Sequence, residues 1–138
     1  MNIAHWLERT ARVAGARPAL MHGGDLVADY ALLHARAAAL ATALIDRGLG
    51  KGDRVALCSA NTPDYLVAMC GVWIAGAAVV PINAKLHAKE IAFILQDSGA
   101  SHVFASKARR ADLASETAQP VIALDGPDFT AMTSGPPA

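Results

Sequence analysis

The stretch between Asp64 and Lys85 most limits what this chain can fold into. The twenty residues between these two charges are all uncharged, and about 20 apolar residues would suffice for a membrane-spanning helix. Breaks inside the stretch favour a buried helix, a turn and a buried strand instead. Gly76 stands where a helix would end in a left-handed cap, Ala78-Val79-Val80 has strand-like composition, and Pro81 would interrupt a continuous helix. We therefore predict no transmembrane segment.

The helix in this stretch has a recognisable start and an apolar stripe. It begins at Thr62-Pro63-Asp64, where proline fits the first turn and an acid favours the positive end of the helix dipole. Apolar residues then recur at i, i+3, i+4 and i+7, which indicates one especially apolar face. The residues of that face are Leu66, Met69, Cys70 and Trp73.

Helix and strand patterns alternate along the rest of the chain. Asp29 is a natural cap for a helix that carries a stripe of leucine and alanine and ends at Gly48. The strand candidates are 18–22, 26–28, 54–58, 79–80, 102–105 and 120–124, and the first two form a hairpin around two glycines. This alternation predicts an α/β fold with a mostly parallel sheet flanked by helices.

Composition excludes several classes of protein. Hydrophobic residues make up 54% of the chain and charged residues 17%, which indicates a globular protein. Twelve basic residues balance twelve acidic ones, so no net positive field favours nucleic acid or an anionic membrane. Cys58 and Cys70 form no Cys-x-x-Cys pair and lie in apolar runs, so we predict buried, reduced thiols. The N-terminus lacks the apolar region of a signal peptide, which favours the cytoplasm.

Length and a change in composition predict the domain organisation. A chain of 138 residues suffices for one domain with a core, but not for two. Residues 125–138 are rich in Gly, Pro, Ser and Thr, as linkers are. We therefore predict an α/β subdomain over residues 1–124 and a linker tail over residues 125–138.

Two candidate ligand motifs fail on physical grounds. The run Gly48-Leu-Gly-Lys-Gly-Asp53 has the glycines of a phosphate loop, but they follow a helix and precede a strand, and no Ser or Thr follows Lys51. We predict an ordinary turn there. His87 and Glu90 have a spacing that can bind metal on a helix, yet no third ligand is visible. The residues alone predict no catalytic constellation and no metal site.

Several sequence blocks, in a fixed order, resemble the N-terminal part of the adenylate-forming enzymes. This superfamily includes acyl- and aryl-CoA synthetases, the adenylation domains of nonribosomal peptide synthetases, and firefly luciferase. The resemblance covers residues 3–125, is nearest to the fatty-acyl and related acid–CoA ligases, and implies a partial N-terminal domain of that fold. Its blocks are Gly48-Leu-Gly-Lys-Gly-Asp-Arg-Val-Ala-Leu57, Asn61-Thr-Pro-Asp64, Trp73-Ile-Ala-Gly-Ala-Ala-Val-Val-Pro-Ile-Asn83, and residues 86–100 with Ser98-Gly-Ala100.

The resemblance implies a two-step reaction for a full-length parent. A carboxylate, for which we expect a fatty acid, attacks the α-phosphate of ATP and gives an acyl-adenylate and pyrophosphate. The thiol of CoA then displaces AMP. The implied cofactors are ATP, Mg²⁺ and CoA, and catalysis of this kind is mostly positioning and charge neutralisation.

The phosphate loop of the family reads Thr-Ser-Gly-Thr-Thr-Gly-x-Pro-Lys-Gly, and this chain departs from it. Thr133-Ser134-Gly135 is followed by two prolines, which remove the backbone amides that a phosphate nest needs. We interpret Thr133–Gly135 as part of the linker, and we expect the phosphate loop beyond residue 138.

The resemblance assigns one ligand contact. In some CoA ligases of the family, a basic residue just after an Asn-Pro pair lies near a CoA phosphate. Asn83-Ala84-Lys85 occupies that position, with Ala in place of Pro. Lys85 is therefore the candidate cofactor-binding residue, and an exposed loop lysine without a ligand is the alternative.

These implications predict the N-terminal fragment of an AMP-forming acid–CoA ligase, inactive alone and binding no cofactor tightly. We also expect a homodimer, because apolar faces or strand edges that missing segments would cover favour self-association. Two alternatives stay open. One is a stand-alone, non-catalytic α/β module that binds a partner or self-associates, and the other is part of an adenylation domain that loads a carrier protein.

Overall fold

Helices and strands alternate through residues 2–135, which are the residues that the computed structural model describes. Strands β3, β4, β5 and β6 form a parallel sheet in the order β4-β3-β5-β6, and β1 and β2 form a separate antiparallel hairpin. The predicted α/β class, with a parallel sheet flanked by helices, is confirmed. In chain order the elements are α1 (Ala4–Ala14), β1 (Pro18–His22), β2 (Asp25–Asp29), α2 (Tyr30–Asp46), β3 (Arg54–Cys58), α3 (Pro63–Ile74), β4 (Ala78–Pro81), α4 (Ala88–Ser98), β5 (Ala100–Ala105), α5 (Lys107–Ala114), β6 (Val121–Ala123) and α6 (Pro127–Ser134).

The central sheet is covered on both faces because successive side chains of a strand point in opposite directions. Val55 and Leu57 of β3 and Phe104 of β5 lie in a core shared with α2, α3 and α6. Ala56 and Cys58 of β3 lie in a second core shared with α4 and α5. The strands are therefore apolar on both sides, as buried parallel strands are.

Helix α2 is the longest element and packs closely against α3. The Asp29 carboxylate caps it by accepting a hydrogen bond from the Leu32 amide at 2.8 Å, and Gly48 follows its end with φ +96°. A Cβ atom on Gly71 of α3 would lie 2.7 Å from Leu40 Cδ2 of α2. Glycine at position 71 therefore allows the two helices to approach each other.

The apolar face predicted for α3 is not the face that is buried. Leu66 is 41% exposed, and the other three residues of that face are only partly buried. Helix α3 is apolar on nearly every side, so periodicity says little about which face turns inward. The close contact with α2 determines the buried side instead. Its buried residues are Val67, Ala68, Gly71 and Val72.

The segment predicted as a linker contains a helix. In α6, Phe129, Met132 and Thr133 are buried, and the Phe129 ring packs edge-on against Phe104 with centroids 5.7 Å apart. The linker prediction is therefore wrong over 127–134. The prediction rested on the small and polar residues that dominate the composition there. It overlooked two apolar residues three positions apart, Phe129 and Met132, which anchor one helix face. The end of the predicted tail, residues 136–138, lies outside the described residues.

The apolar Asp64–Lys85 stretch does not form one long helix. None of the helices described within residues 2–135 is long and apolar enough to cross a membrane. The stretch divides into α3, a turn at Gly76 with φ +85°, and β4. Pro81 lies in the last position of β4, which is an edge strand and so tolerates a residue without an amide hydrogen.

Candidate functional site at the carboxyl edge of the sheet

The four parallel strands end at one edge of the sheet, which we name the carboxyl edge. It consists of the segments that follow the strands, namely residues 59–62, 82–87, 106 and 124–126. The chain passes from β3 to β4 on one side and then crosses to β5 on the other side of β3. In open α/β sheets, ligands bind outside the carboxyl ends of the strands at such a switch point. The carboxyl edge is therefore the candidate site.

Two serines meet where β3 and β5 end. The Ser106 hydroxyl donates to Ser59 Oγ at 3.2 Å, and Ser59 Oγ donates to the Ala60 carbonyl at 2.9 Å. The Ala60 amide donates in turn to Ser106 Oγ at 3.4 Å. Ser59 is buried, so its hydroxyl is satisfied by these bonds. They hold the segments after β3 and β5 together.

The segment after β6 is tied to the same place. The Lys107 amide at the start of α5 donates to Asp125 Oδ1 at 2.8 Å. An amide in the first turn of a helix has no partner within the helix, so an acceptor from another segment satisfies it. The junction between β5 and α5 therefore contacts the segments on both of its sides.

Lys85 lies at the carboxyl edge, in a turn after β4. The Lys85 amide donates to Asn83 Oδ1 at 2.9 Å, and the Leu86 amide donates to the Asn83 carbonyl at 3.2 Å. The Lys85 side chain is exposed, and no described carboxylate pairs with it. The turn thus presents a cation whose charge is available to an anionic ligand.

Arg109 holds this turn from the neighbouring helix. Its Nη1 donates to the Ala84 carbonyl at 2.6 Å and to the Leu86 carbonyl at 2.8 Å. Its Nε donates to Asp112 Oδ2, one helical turn along α5, at 3.2 Å. The Arg109 side chain is 20% exposed. Arg109 therefore connects α5 to the turn that carries Lys85.

A cysteine and a tyrosine below this edge are kept neutral. Burial raises the pKa of the Cys58 thiol, and the Arg109 cation opposes that shift only in part, while Asp112 adds to it. The pKa of Tyr65 is raised by burial and then by Cys58. Both cysteines are free, and a neutral buried thiol is a poor nucleophile. Cys58 therefore acts as a packing residue.

The other candidate motifs lie elsewhere or are already engaged. The Gly48–Asp53 run forms the predicted turn at the opposite edge, where the Gly50 amide donates to Asp53 Oδ2 at 2.8 Å. His87 caps α4 through Nδ1, which accepts from the Lys89 amide at 3.1 Å. Across residues 2–135, no three His, Cys, Asp or Glu side chains are grouped so that they could hold a metal ion.

The family resemblance proposes Lys85 for a site at this edge. It points to neither Arg109 nor Ser59 nor Ser106. Their contacts join residues 23 to 47 positions apart. Only the strand order brings those positions together, so no local signal could have found them.

Comparison with known proteins agrees with the sequence blocks. A family profile described as "AMP-binding enzyme" matches residues 7–135. The chain is 33% identical over 136 residues to a feruloyl-CoA synthase of Amycolatopsis sp, a match that covers 99% of this chain and 28% of that protein. It is 38% identical over 103 residues to a long-chain-fatty-acid–CoA ligase of Mycobacterium tuberculosis, covering 74% of this chain and 20% of that protein. The chain therefore spans less than a third of the length of either relative.

Solved structures show the same fold. The inhibitor-bound crystal structure of the N-terminal domain of FACL13 from Mycobacterium tuberculosis superposes with a TM-score of 0.85 at 29% identity, covering 98% of this chain and 36% of that one. The resemblance drawn from the sequence blocks is confirmed by both kinds of comparison. The profile matches nearly all of the chain, and the fold is shared with a solved N-terminal domain, so this chain belongs to the AMP-binding enzyme family.

Proposed function

We propose that this chain is part of an ATP-dependent acid–CoA ligase, a longer protein that we name the proposed ligase. It would activate a carboxylic acid as an acyl-adenylate and transfer the acyl group to the CoA thiol. The observation that carries the proposal is the similarity to two CoA-forming enzymes, one over 99% and one over 74% of this chain.

The test of this proposal is product analysis with the proposed ligase. With ATP, Mg²⁺, CoA and a panel of acids, we expect equal amounts of AMP and acyl-CoA. Formation of ADP, or consumption of ATP without acyl-CoA, would contradict the proposal. We propose a fatty acid as the substrate class, supported by the similarity to the long-chain ligase. Because another relative is a feruloyl-CoA synthase, the panel should pair fatty acids with ferulate, and preference for ferulate would correct the acid class.

We propose that the 138-residue chain alone is inactive and binds no cofactor tightly. The grouped carboxylates that Mg²⁺ prefers are not found within residues 2–135. The hydroxyls of Thr133 and Ser134 donate to carbonyls of their own helix. The side-chain hydroxyls of the Thr133–Gly135 motif are thus engaged within α6. Acid-dependent exchange of pyrophosphate into ATP by the isolated chain would contradict this proposal.

Within the proposed ligase, we propose that Lys85 contacts a CoA phosphate. It lies at the switch-point edge, its charge has no described partner, and its backbone is held in a turn. An ammonium–phosphate contact is a charge-assisted hydrogen bond, worth about 1.5–3 kcal/mol. That energy is roughly a tenfold or larger change in affinity.

The variant Lys85→Ala tests that contact. We expect the KM for CoA to rise about tenfold, while acyl-adenylate formation is unchanged because CoA enters only the second step. Lys89→Ala, an exposed lysine four residues further along, is the matched control and should leave the KM for CoA unchanged. An unchanged KM in Lys85→Ala would remove the assignment.

An adenylation domain that loads a carrier protein is the second candidate. The chain is 30% identical over 125 residues to a dimodular nonribosomal peptide synthase of Bacillus subtilis, which covers 91% of this chain. Such an enzyme would pass its acyl group to a phosphopantetheine thiol on a carrier protein rather than to free CoA. Transfer to a carrier domain without transfer to CoA would favour this candidate.

We also propose that the chain forms a homodimer through exposed apolar surface, in a protein of the cytoplasm. Trp6 and Val13 of helix α1 are exposed, as is Ile3 just before it, and an exposed apolar face favours association. Light scattering at high concentration should give the mass of two chains. Trp6→Glu should reduce that mass to one chain, and Phe93→Glu, at an exposed residue of α4, should not. A monodisperse wild-type monomer would contradict the proposal.

A further inference from the structure

One side chain from another element, Arg109, holds the turn that carries Lys85. Ala84 and Leu86 flank Lys85, and both of their carbonyls accept hydrogen bonds from Nη1 of Arg109. A terminal guanidinium nitrogen carries two hydrogens, so it can serve two acceptors at once. The direct neighbours of Lys85 are therefore fixed on both sides by one group.

Arg109 is itself well placed to act as a fixed point. Its Nε donates to Asp112, which fixes the plane of the guanidinium. Helix α5 is anchored in turn, because Leu113 is buried and the Lys107 amide is bonded to Asp125. The turn is thus connected through Arg109 to the second core of the sheet and not merely to solvent-exposed structure.

The consequence for Lys85 lies in its backbone. The Lys85 amide is bonded to Asn83, and the carbonyls on both sides are bonded to Arg109. The backbone around Lys85 is thus restrained, while its side chain is exposed. Binding to a preorganised group costs less ordering entropy than binding to a mobile loop. We propose that Arg109 is a positioning residue that holds the Asn83–Leu86 turn and so directs the Lys85 ammonium toward a CoA phosphate, an inference that rests on the proposed function for its ligand.

Two measurements distinguish the restraint that Arg109 places on the turn from the contact between Lys85 and CoA. The first is amide hydrogen exchange of residues 84–88 in the 138-residue chain, which reports local opening. The second is the KM for CoA in the proposed ligase. In Arg109→Ala we expect exchange to accelerate about tenfold or more and the KM for CoA to rise about threefold to tenfold. The KM for ATP and the rate of adenylate formation should not change.

Matched variants give the positioning role its specific signature. Lys85→Ala should raise the KM for CoA without accelerating exchange. Arg110→Ala removes the same charge from the same helix, but Arg110 contacts Val121 instead of the turn, so it should change neither quantity. Because Arg109 acts through Lys85, the double variant Lys85→Ala/Arg109→Ala should bind CoA no worse than Lys85→Ala alone, the non-additivity expected of coupled residues.

The possible results distinguish the two proposals. If amide exchange is equally fast in Arg109→Ala and Arg110→Ala, Arg109 does not restrain the turn, whatever the KM for CoA. Additive losses in the double variant would also overturn the proposed restraint, because Arg109 would then contact CoA itself. Accelerated exchange in Arg109→Ala with an unchanged KM in Lys85→Ala would remove the proposed CoA contact and support the restraint. If Arg109→Ala fails to fold, Arg109→Lys provides the same comparison, since it keeps the charge but loses the planar fork.

Discussion

The two edges of the central sheet are built by different means. At the amino edge, where the strands begin, Gly48, Gly52, Gly76 and Gly99 have φ values between +68° and +96°. At the carboxyl edge, residues 59–62, 82–87, 106 and 124–126 include no residue of positive φ. Side chains hold those segments instead, through the Ser59–Ser106 pair and through Arg109.

This difference explains why the amino edge serves as a structural connection and the carboxyl edge is the candidate site. Glycines let turns close tightly through the backbone, as where the Gly52 amide donates to the Gly76 carbonyl at 2.9 Å. A glycine itself offers no side chain to a ligand. Segments held by side chains of a neighbouring element leave their own residues, such as Lys85, free to face outward. Substitutions at the amino edge should therefore change stability, and those at the carboxyl edge should also change ligand binding.

The largest expected effect is at the amino edge, in Gly99→Val. Gly99 has φ +68°, and a Cβ atom there would collide with Arg54 Nη2. A β-branched residue in this conformation costs on the order of 2 kcal/mol, and Arg54 must also move. We expect the free energy of unfolding, measured with urea, to fall by about that amount, with the KM for CoA of the proposed ligase unchanged. A raised KM for CoA would contradict the division between the edges.

Two other glycines at the amino edge, in the segment between α2 and β3, give the matched controls. Gly52 has φ +85° with nothing within 4 Å of an added Cβ, so Gly52→Ala should isolate the backbone cost, about 1 kcal/mol. Gly50 lacks a positive φ, and an added Cβ would make only ordinary contact with Asp53 at 3.5 Å. Gly50→Ala should change stability by less than about 0.5 kcal/mol.

The next effect is at the carboxyl edge, in Ser106→Ala. This change removes a hydroxyl that bonds Ser59 and accepts from the Ala60 amide, and one such network bond contributes about 1 kcal/mol. We expect a loss of about that size in urea unfolding, together with a raised KM for CoA. Ser115→Ala removes an exposed hydroxyl at the other end of α5 and should do neither. A stability loss with no change in KM would make this edge purely structural as well.

The sequence predicts the amino edge well because its determinants are local. Glycine at the end of a helical pattern indicates a left-handed cap, and Gly48 and Gly76 are each predicted at a helix end on that ground. Both have positive φ in the structure. The alternation of helix and strand patterns was likewise sufficient to predict the parallel sheet.

The carboxyl edge was beyond local reasoning, apart from Lys85, which the family resemblance supplied. Arg109 reaches back 23 to 25 residues to the turn, and Ser106 reaches back 47 residues to Ser59. Helix α6 was missed for a related reason, since its identity as a helix depends on Phe129 reaching the core. Contacts that depend on strand order leave no periodic trace in the sequence.

We expect acid to lower the free energy of unfolding through His102, near the amino edge. Burial lowers the pKa of His102 below 6.5, Arg47 lowers it further, and Asp53 opposes the shift. The unfolded chain therefore binds a proton that the folded chain excludes, so the stability contributed by His102 is present above pH 6.5 and is lost as pH falls below it. Urea unfolding at a series of pH values from about 7.5 to 5 should show a smaller loss in His102→Gln than in the wild type. Equal losses would place the acid sensitivity elsewhere.

We expect alkali to lower the free energy of unfolding through Cys58, near the carboxyl edge. This is the smallest of the expected effects. Burial raises the pKa of Cys58 above 9.0, so the folded chain retains a proton that the unfolded chain loses. The corresponding stability is present below pH 9.0 and is lost as pH rises through the folded-state pKa. Burial also raises the pKa of Cys70, so both proteins compared should carry Cys70→Ala. In that background, adding Cys58→Ala should reduce the fall in the free energy of unfolding above pH 9.0. If both proteins lost stability equally, Cys58 would titrate alike in the folded and unfolded chains, and pH would no longer separate the two edges.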